Sequence, residues 1–216
     1  MSIELYPRFA DLYSAVLCDA LDSMGYKNQA FRTTFHDYTE CETVVGRAKT
    51  TLWVEMYHED DNPYDLELKA VDSCNSGEVI VCAAGGSDRS GIWGELLTTA
   101  AMNRGCTGVV VYGSVRDIKK MERMNFPVFA TGKNPYDSQN RQRVVDLDVS
   151  VVIDGVTIQP GDLVFGDGDG IVVIPQKVEE EALDRAHEKV NSENISRDAI
   201  KKGMKSAEAY KKFGVL

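Results

Sequence analysis

The sequence predicts an α/β fold with a central βαβ unit, an antiparallel β half and a carboxy-terminal helical extension, on three observations. Val79 to Ala84 and Val109 to Tyr112 are almost continuously apolar, and the segment between them opens as a helix near Trp93 to Glu95 and stops at Gly105. Apolar runs of this kind are strands covered on both faces, and a helical crossover makes them parallel. From Val144 to Pro175 the pattern changes to short β segments broken by Asp154-Gly155 and Pro160-Gly161-Asp162. Asp-Gly between apolar runs is a hairpin signal, so this half reads as antiparallel. From Gln176 onward the chain is highly charged and helical, interrupted at Gly203.

At 216 residues, with no internal repeat and no low-complexity linker, the chain reads as one domain over 1–216. Residues 176–216 form the extension, expected to rest on the domain itself or on a neighbouring subunit.

The remaining elements follow in order. From Pro7 to Met24, Phe9, Leu12, Tyr13, Val16, Leu17, Ala20 and Leu21 keep the three-and-four spacing of an amphipathic helix, ended by Gly25, with Asp11, Asp19 and Asp22 towards solvent. Thr43 to Met56 is rich in β-branched residues and reads as a strand with an irregularity at Gly46. His58 to Tyr64 is an acidic loop. Its two aspartates beside a histidine allow a metal site, but a solvated loop with a helix cap is the stronger reading. Asp65 to Ser73 is a short helix, and Gly77-Glu78 a turn. A glycine-rich turn at Gly85-Gly86 precedes the crossover helix. After Asp117 a charged helix leads to a short strand at Pro127 to Ala130 that ends at Gly132, and Lys133 to Arg143 reads as a flexible arm or lid.

Composition excludes several functions. A net charge of -10 argues against nucleic acid, because neutralising phosphates requires clustered Lys and Arg. A small anion would need local positive charge or a metal cation; Arg89, Arg104 and Arg116 lie near the central unit. The five cysteines, Cys18, Cys41, Cys74, Cys82 and Cys106, form no CxxC pair and read as small hydrophobes in a reducing compartment. No basic-then-apolar leader and no run near ~20 apolar residues occurs, so a cytoplasmic protein with no membrane partner is expected.

Chemistry concentrates between Gly85 and Asp117. A helix that starts at Gly94 to Leu97 offers unpaired N–H groups and a positive dipole end to a carboxylate or phosphate. The following strand delivers Arg116 and Asp117 to the same edge of the sheet, where open α/β sheets bind ligands. Arg116 is a fixed cation and Asp117 a candidate metal ligand; alone, the bland reading is an exposed ion pair. Other motifs fail. Gly166 to Gly170 (GDGDG) lacks the flanking helices and terminal Glu of a calcium loop and reads as a tight turn. No Walker A or G-x-G-x-x-G spacing is present. Gly85-Gly86-Ser87-Asp88-Arg89 is not a nucleophile elbow, and His36, His58 and His187 are scattered.

WGELLTTAAMNRGCTGVVVYGSVRD followed by PVFATG closely resembles the RraA-like family, which includes 4-hydroxy-4-methyl-2-oxoglutarate aldolase. CDAL at Cys18 to Leu21, GRA at Gly46 to Ala48, PGDLVFGDGDGIVVIP and the ending at Ile200 to Gly203 extend the likeness over nearly the whole chain. The resemblance implies a swivelling β/β/α domain assembled as a homotrimer or a dimer of trimers (a hexamer), with sites at subunit interfaces. It implies that the backbone of Gly94, Glu95, Leu96 and Leu97 holds a small 2-oxo acid, that Arg116 also binds it, and that Asp117 ligates Mg²⁺ or Mn²⁺. Twenty residues lie between Glu95 and Arg116, which suits that carry-over. In the implied class II pyruvate aldolase or oxaloacetate decarboxylase, Arg116 stabilises a pyruvate enolate and Glu95 moves a proton, with Glu193 of a neighbouring subunit assisting. The alternative is a noncatalytic regulator that binds a ribonuclease, as the family's name-giving member does. Lys120, where some members carry an acid, and Arg89, in place of a small residue, depart from the pattern and bear on substrate preference.

Overall fold

The computed structural model describes residues 6–215; the first five residues, part of the stretch read for a leader, and residue 216 of the helical extension lie outside it. After a 3-10 turn at Pro7–Phe9 the elements are α1 (Ser14–Ser23), β1 (His36–Asp37), β2 (Val44–Glu55), α2 (Asp65–Asp72), β3 (Glu78–Trp93), α3 (Glu95–Arg104), β4 (Gly108–Val115), α4 (Ile118–Met121), β5 (Val128–Lys133), β6 (Gln142–Leu147), β7 (Val151–Ile153), β8 (Val156–Ile158), β9 (Leu163–Gly166), β10 (Ile171–Ile174), α5 (Glu179–Lys201) and α6 (Ser206–Phe213).

The central sheet runs β1-β5-β4-β3-β2-β9-β10. Strands β2, β3, β4 and β5 are mutually parallel, as the predicted βαβ unit requires, and β9 and β10 are antiparallel. The edge of β2 opposite β3 is shared: Val44 to Arg47 pair with β9, and Thr51 to Glu55 pair with β6, both antiparallel. One long strand thereby joins the parallel half to the antiparallel half.

Alternation of side chains explains why the central runs are apolar throughout. Along β3, Ile80 and Cys82 enter one core with Trp93, Ala101 and Val109, while Val79, Val81 and Ala83 enter another with Val110, Phe129 and Val164. Helices α2 and α3 cover the first face, and the β7–β8 hairpin contributes Val151, Ile153, Val156 and Ile158 to the second. A third core lies under α1 and the first half of α5, where Ala182, Leu183 and Ala186 meet Val16, Leu17 and Phe165. The helical extension therefore rests on its own chain over that half; Ile195 and Ile200, further along α5, are exposed.

Several expectations need correction. The single helix from Pro7 to Met24 is a 3-10 turn followed by α1, because Tyr13 is extended and breaks the helical path. The glycine-rich turn at Gly85-Gly86 is not a turn: β3 continues to Trp93, and register shifts after Ala83, Ser87 and Gly91 absorb the surplus residues, as bulges do. In β2 the irregularity lies between Leu52 and Trp53, where β6 pairs, and not at Gly46. The charged helix after Asp117 is one α-turn, α4, continued as 3-10 over Glu122–Met124. The acidic loop has no side-chain helix cap, since Tyr64 occupies the cap position of α2. Asp60 there pairs with Arg143, and among the described residues no cluster of three or more metal-binding side chains occurs. The GDGDG turn is as predicted, with Asp167 accepting bonds from its own Asp169 amide (3.0 Å) and from the Ser14 amide (2.8 Å) and hydroxyl (2.7 Å) at the start of α1.

Gly46 has a different reason to be glycine. A Cβ there would lie 2.5 Å from Thr107 Oγ1 and 2.6 Å from the Gly77 carbonyl. Gly46→Ala is expected to lower stability by about 1–3 kcal/mol, as overpacking does, measured by chemical denaturation; an unchanged midpoint would show that the β2–β3 contact yields freely.

All five cysteines are free; Cys74, Cys82 and Cys106 are buried, while Cys18 and Cys41 are half-buried. No described helix is long and apolar enough to cross a membrane.

Candidate active site

The carboxyl ends of β3 and β4 bring the predicted residues together. Gly94 caps α3, and the first intrahelical bond, Thr98 N–H to the Gly94 carbonyl at 3.0 Å, leaves the amides of Glu95, Leu96 and Leu97 without an intrahelical partner. The Arg116 amide donates to the Trp93 carbonyl at 2.8 Å, which ties the exit of β4 to the start of α3. Asp117 adopts a left-handed conformation (φ 60°), tolerated by Asp, and this bend turns its carboxylate back towards the helix start. The Glu95 amide lies 3.4 Å from Asp117 Oδ2. A side chain at Gly94 would not fit: its Cβ would sit 2.7 Å from Asp117 Oδ2 and 3.1 Å from Arg116 Cγ.

A cleft of about 270 Å³ opens beside these residues, with Gly94, Leu96, Leu97, Arg116 and Asp117 in its wall. The Glu95 side chain is not part of that wall; its carboxylate faces Lys120 Nζ at 3.8 Å and the Thr99 hydroxyl at 3.4 Å. Lys120, the departure noted in the sequence, is thus a loose partner of Glu95. Arg89 lies elsewhere, over the Tyr57 ring at 4.0 Å and 3.6 Å from Glu55, and Arg104 pairs with Asp72 at 3.6 Å. Of the three arginines expected near the site, Arg116 alone lines the cleft. A wider groove on the far side of Arg116 and Asp117 carries Lys119, Lys120 and Lys133, which concentrates positive charge in an otherwise acidic chain.

Arg116 is half-buried, not an exposed partner of Asp117. Its NH2 binds Asp137 Oδ2 at 2.7 Å, and the other oxygen of Asp137 accepts the Tyr64 hydroxyl (2.7 Å) and the Gln139 amide (2.8 Å). Burial pushes the Asp137 carboxyl up, but the Gln139 amide, the Tyr64 hydroxyl and Arg116 outweigh it and hold it below the usual carboxylate range. Burial and the Asp137 hydrogen bond push the Tyr64 hydroxyl up to about 12.

Asp137 belongs to the segment expected to be a flexible arm. That segment is tied down at Asn134 (to the Val115 carbonyl, 3.0 Å), Tyr136 (accepting from the Gly91 amide, 2.9 Å) and Ser138, and β6 begins inside it. Its Asp137 and Ser138 line the cleft. Sequence reasoning missed Tyr64, Glu67, Asp137 and Ser138. One signal was available: the tetrapeptide Asn-Pro-Tyr-Asp occurs twice, at Asn62 to Asp65 and Asn134 to Asp137, and the Tyr of the first binds the Asp of the second.

Glu67 also lines the cleft. It is 7% exposed on the inner face of α2 beside Ala70 and Val71, and burial pushes its carboxyl up to about 8, against the Ser138 hydroxyl and Arg116, which lower it. Glu193, expected to act from a neighbouring subunit, lies on α5, accepts the Tyr13 hydroxyl and sits 4.0 Å from Arg197. It does not line this cleft in its own chain.

Asp117 offers a single hard carboxylate donor at the cleft. That donor set suits Mg²⁺ or Mn²⁺, which keep several waters and take one or two carboxylates together with substrate oxygens. A closed all-protein cage is absent among the described residues.

Comparison with known proteins fits this arrangement. A protein of Halalkalibacterium halodurans, provisionally named a 4-hydroxy-4-methyl-2-oxoglutarate aldolase, is 32% identical over 208 residues, covering 96% of this chain and 94% of its own. A Pseudomonas aeruginosa (strain LESB58) protein of the same provisional name is 36% identical over 160 residues, 74% of this chain and 92% of its own. Among solved structures, an uncharacterized protein from Pseudomonas syringae pv. tomato superposes with a TM-score of 0.84 at 31% identity, covering 96% of this chain and 92% of that one. Streptomyces coelicolor RraAS2, described as an unusual member of the RNase ES inhibitor RraA protein family, superposes with a TM-score of 0.78 at 30% identity, covering 90% and 96%. The RraA-like family model, Aldolase/RraA, matches residues 14–173, a span that holds every cleft residue named above. With the fold, the α3 start and the Arg116-Asp117 exit all falling inside that match, this chain belongs to the RraA-like (Aldolase/RraA) family.

Proposed function

We propose that this protein is a divalent-metal-dependent carbon–carbon lyase that cleaves a small 2-oxo acid of the 4-hydroxy-4-methyl-2-oxoglutarate type, or decarboxylates oxaloacetate, through a pyruvate enolate. The observation that carries the reading is the meeting of Arg116 and Asp117 with the first turn of α3, where the Glu95 amide lies 3.4 Å from Asp117 Oδ2. Asp117 would hold Mg²⁺ or Mn²⁺. Such a cation supplies Lewis-acid stabilisation of negative charge that develops on the substrate.

The chain's own groups supply the rest. The amides of Glu95, Leu96 and Leu97 receive the substrate carboxylate at the positive end of α3. One end of the Arg116 guanidinium is fixed by Asp137, and the other donors of its fork are available to the substrate. They stabilise the enolate. Glu95, at the mouth of the cleft, takes the substrate hydroxyl proton through a bridging water, because its carboxylate stands outside the wall. Lys119, Lys120 and Lys133 draw a dianionic substrate towards the cleft. Assembly as a homotrimer or hexamer, with Glu193 of a neighbouring subunit near the site, belongs to the same reading.

Pyruvate release from oxaloacetate and from 4-hydroxy-4-methyl-2-oxoglutarate, with Mg²⁺ and with chelator, is the test. Turnover that requires the metal is expected. Asp117→Ala is expected to abolish the metal requirement together with activity while leaving the melting temperature within a few degrees, since the residue lies at a strand exit and not in the core. Absent or metal-independent turnover on both substrates would sink the lyase reading. In that event capture of a ribonuclease would support the noncatalytic alternative, which the likeness to the RNase ES inhibitor family motivates.

A further inference from the structure

Glu67 occupies a position that should be apolar. On α2 it shares the inner face with Ala70 and Val71, the three-and-four spacing of core-facing residues. A carboxylate buried there needs a cation or several donors. It has neither. Among the described residues no basic group forms an ion pair with Glu67, and Arg116, whose charge acts on it, directs NH2 to Asp137 at 2.7 Å. Among the described residues the one hydrogen bond to Glu67 comes from the Ser138 hydroxyl at 3.3 Å. Asp137, Tyr64 and the Cys82 thiol are the other ionisable groups that bear on it or its partners, and none offers positive charge at neutral pH. The geometry favours the neutral acid, a carboxyl that keeps its proton beside Arg116 in the cleft wall.

We infer that Glu67 is the acid that ends the reaction, handing its proton to the terminal carbon of the pyruvate enolate. This inference rests on the proposed lyase function. In the step the Glu67 O–H bond breaks and a C–H bond forms from the enolate's electron pair. The carbonyl is restored, pyruvate results, and Glu67 is left as a carboxylate that water in the open cleft reprotonates. No other reactant is needed, since one proton moves from oxygen to carbon and returns from solvent. A neutral carboxyl has the right properties: it adds no charge against an anionic substrate, and its acidity near neutral pH matches the transfer. Glu95 deprotonates the hydroxyl at the mouth and Glu67 protonates carbon at the inner wall, so two carboxyl groups in unlike surroundings divide the two proton transfers.

The microscopic reverse isolates this step. The full-length protein with Mg²⁺ is incubated with pyruvate in D₂O, and loss of the methyl proton signal is followed by NMR. Wild type is expected to exchange; Glu67→Gln is expected to exchange on the order of 100-fold more slowly, while pyruvate binding, measured by calorimetry, changes little. Glu67→Asp, which keeps the acid, is expected to recover part of the rate. Equal exchange in wild type and Glu67→Gln would overturn the assignment and leave the lyase function standing. No exchange by wild type would overturn both. Should Glu67→Gln fail to fold, infrared spectra of wild type decide: a protonated-carboxyl band at neutral pH that vanishes in alkali is expected, and its absence overturns the assignment.

Discussion

Arg116→Ala is expected to lower kcat/KM for pyruvate release by about 10²–10³-fold, the usual loss when one donor to a developing oxyanion is removed. The effect should fall on kcat as well as KM, because negative charge is greatest on the enolate and not on the substrate ground state. Asp137→Asn is expected to have a smaller effect, about tenfold. It keeps the shape and the contacts to Tyr64 and Gln139 but weakens the 2.7 Å charge-assisted bond that orients the guanidinium. Circular dichroism should be unchanged in both variants, since Arg116 lies at a strand exit, Asp137 lies in the connection between β5 and β6, and both are only half-buried. Turnover by Arg116→Ala within twofold of wild type would remove Arg116 from the mechanism.

The second large effect is on stability. Glu67 has its carboxyl pushed up from 4.5 to about 8, first by burial and then by Asp137, with Ser138 and Arg116 opposing. The folded state therefore holds a proton that the unfolded state releases between these two values. Below about pH 4.5 both states are protonated and the group's favourable contribution is complete. As pH rises towards 8 it is lost at about 1.4 kcal/mol per pH unit, a total of several kcal/mol at most, and beyond that the loss levels off. Glutamine has nearly the same shape and cannot ionise. Glu67→Gln is thus expected to flatten the fall in stability from mildly acid to mildly alkaline pH, and to equal or exceed wild type at the alkaline end. Asp137, shifted downward, has the opposite sign: its contribution is lost as pH falls through its lowered value. It is present in both proteins and cancels in the comparison. Parallel curves from denaturant midpoints would show that Glu67 is ionised in the folded state.

The two effects arise from one wall of the cleft, and that wall contains the residues that sequence reasoning did not place. Tyr64 and Glu67 precede Arg116 by about fifty residues, and Asp137 follows it by about twenty. Nothing in the local pattern around Glu67 marks it as functional: in sequence it is one acid in a short charged helix. The doubled Asn-Pro-Tyr-Asp hinted at a relation, but not at the hydrogen bond from Tyr64 to Asp137.

What the sequence by itself determined is what depends on near neighbours. The two apolar runs, the Gly94 start and Gly105 stop of α3, the Asp-Gly hairpins and the Arg116-Asp117 exit are all set within about a dozen residues by periodicity, turn chemistry and caps. Family membership followed from the same blocks. Tertiary structure alone decided where β2 exchanges β9 for β6, that β3 runs through Gly85-Gly86 as a bulged strand, and that Asp137 and Ser138 line the cleft. The reason is physical. Strand partners and the protonation of Glu67 are settled by what lies across the sheet and by how much water is excluded, and neither quantity is a property of a short stretch of chain.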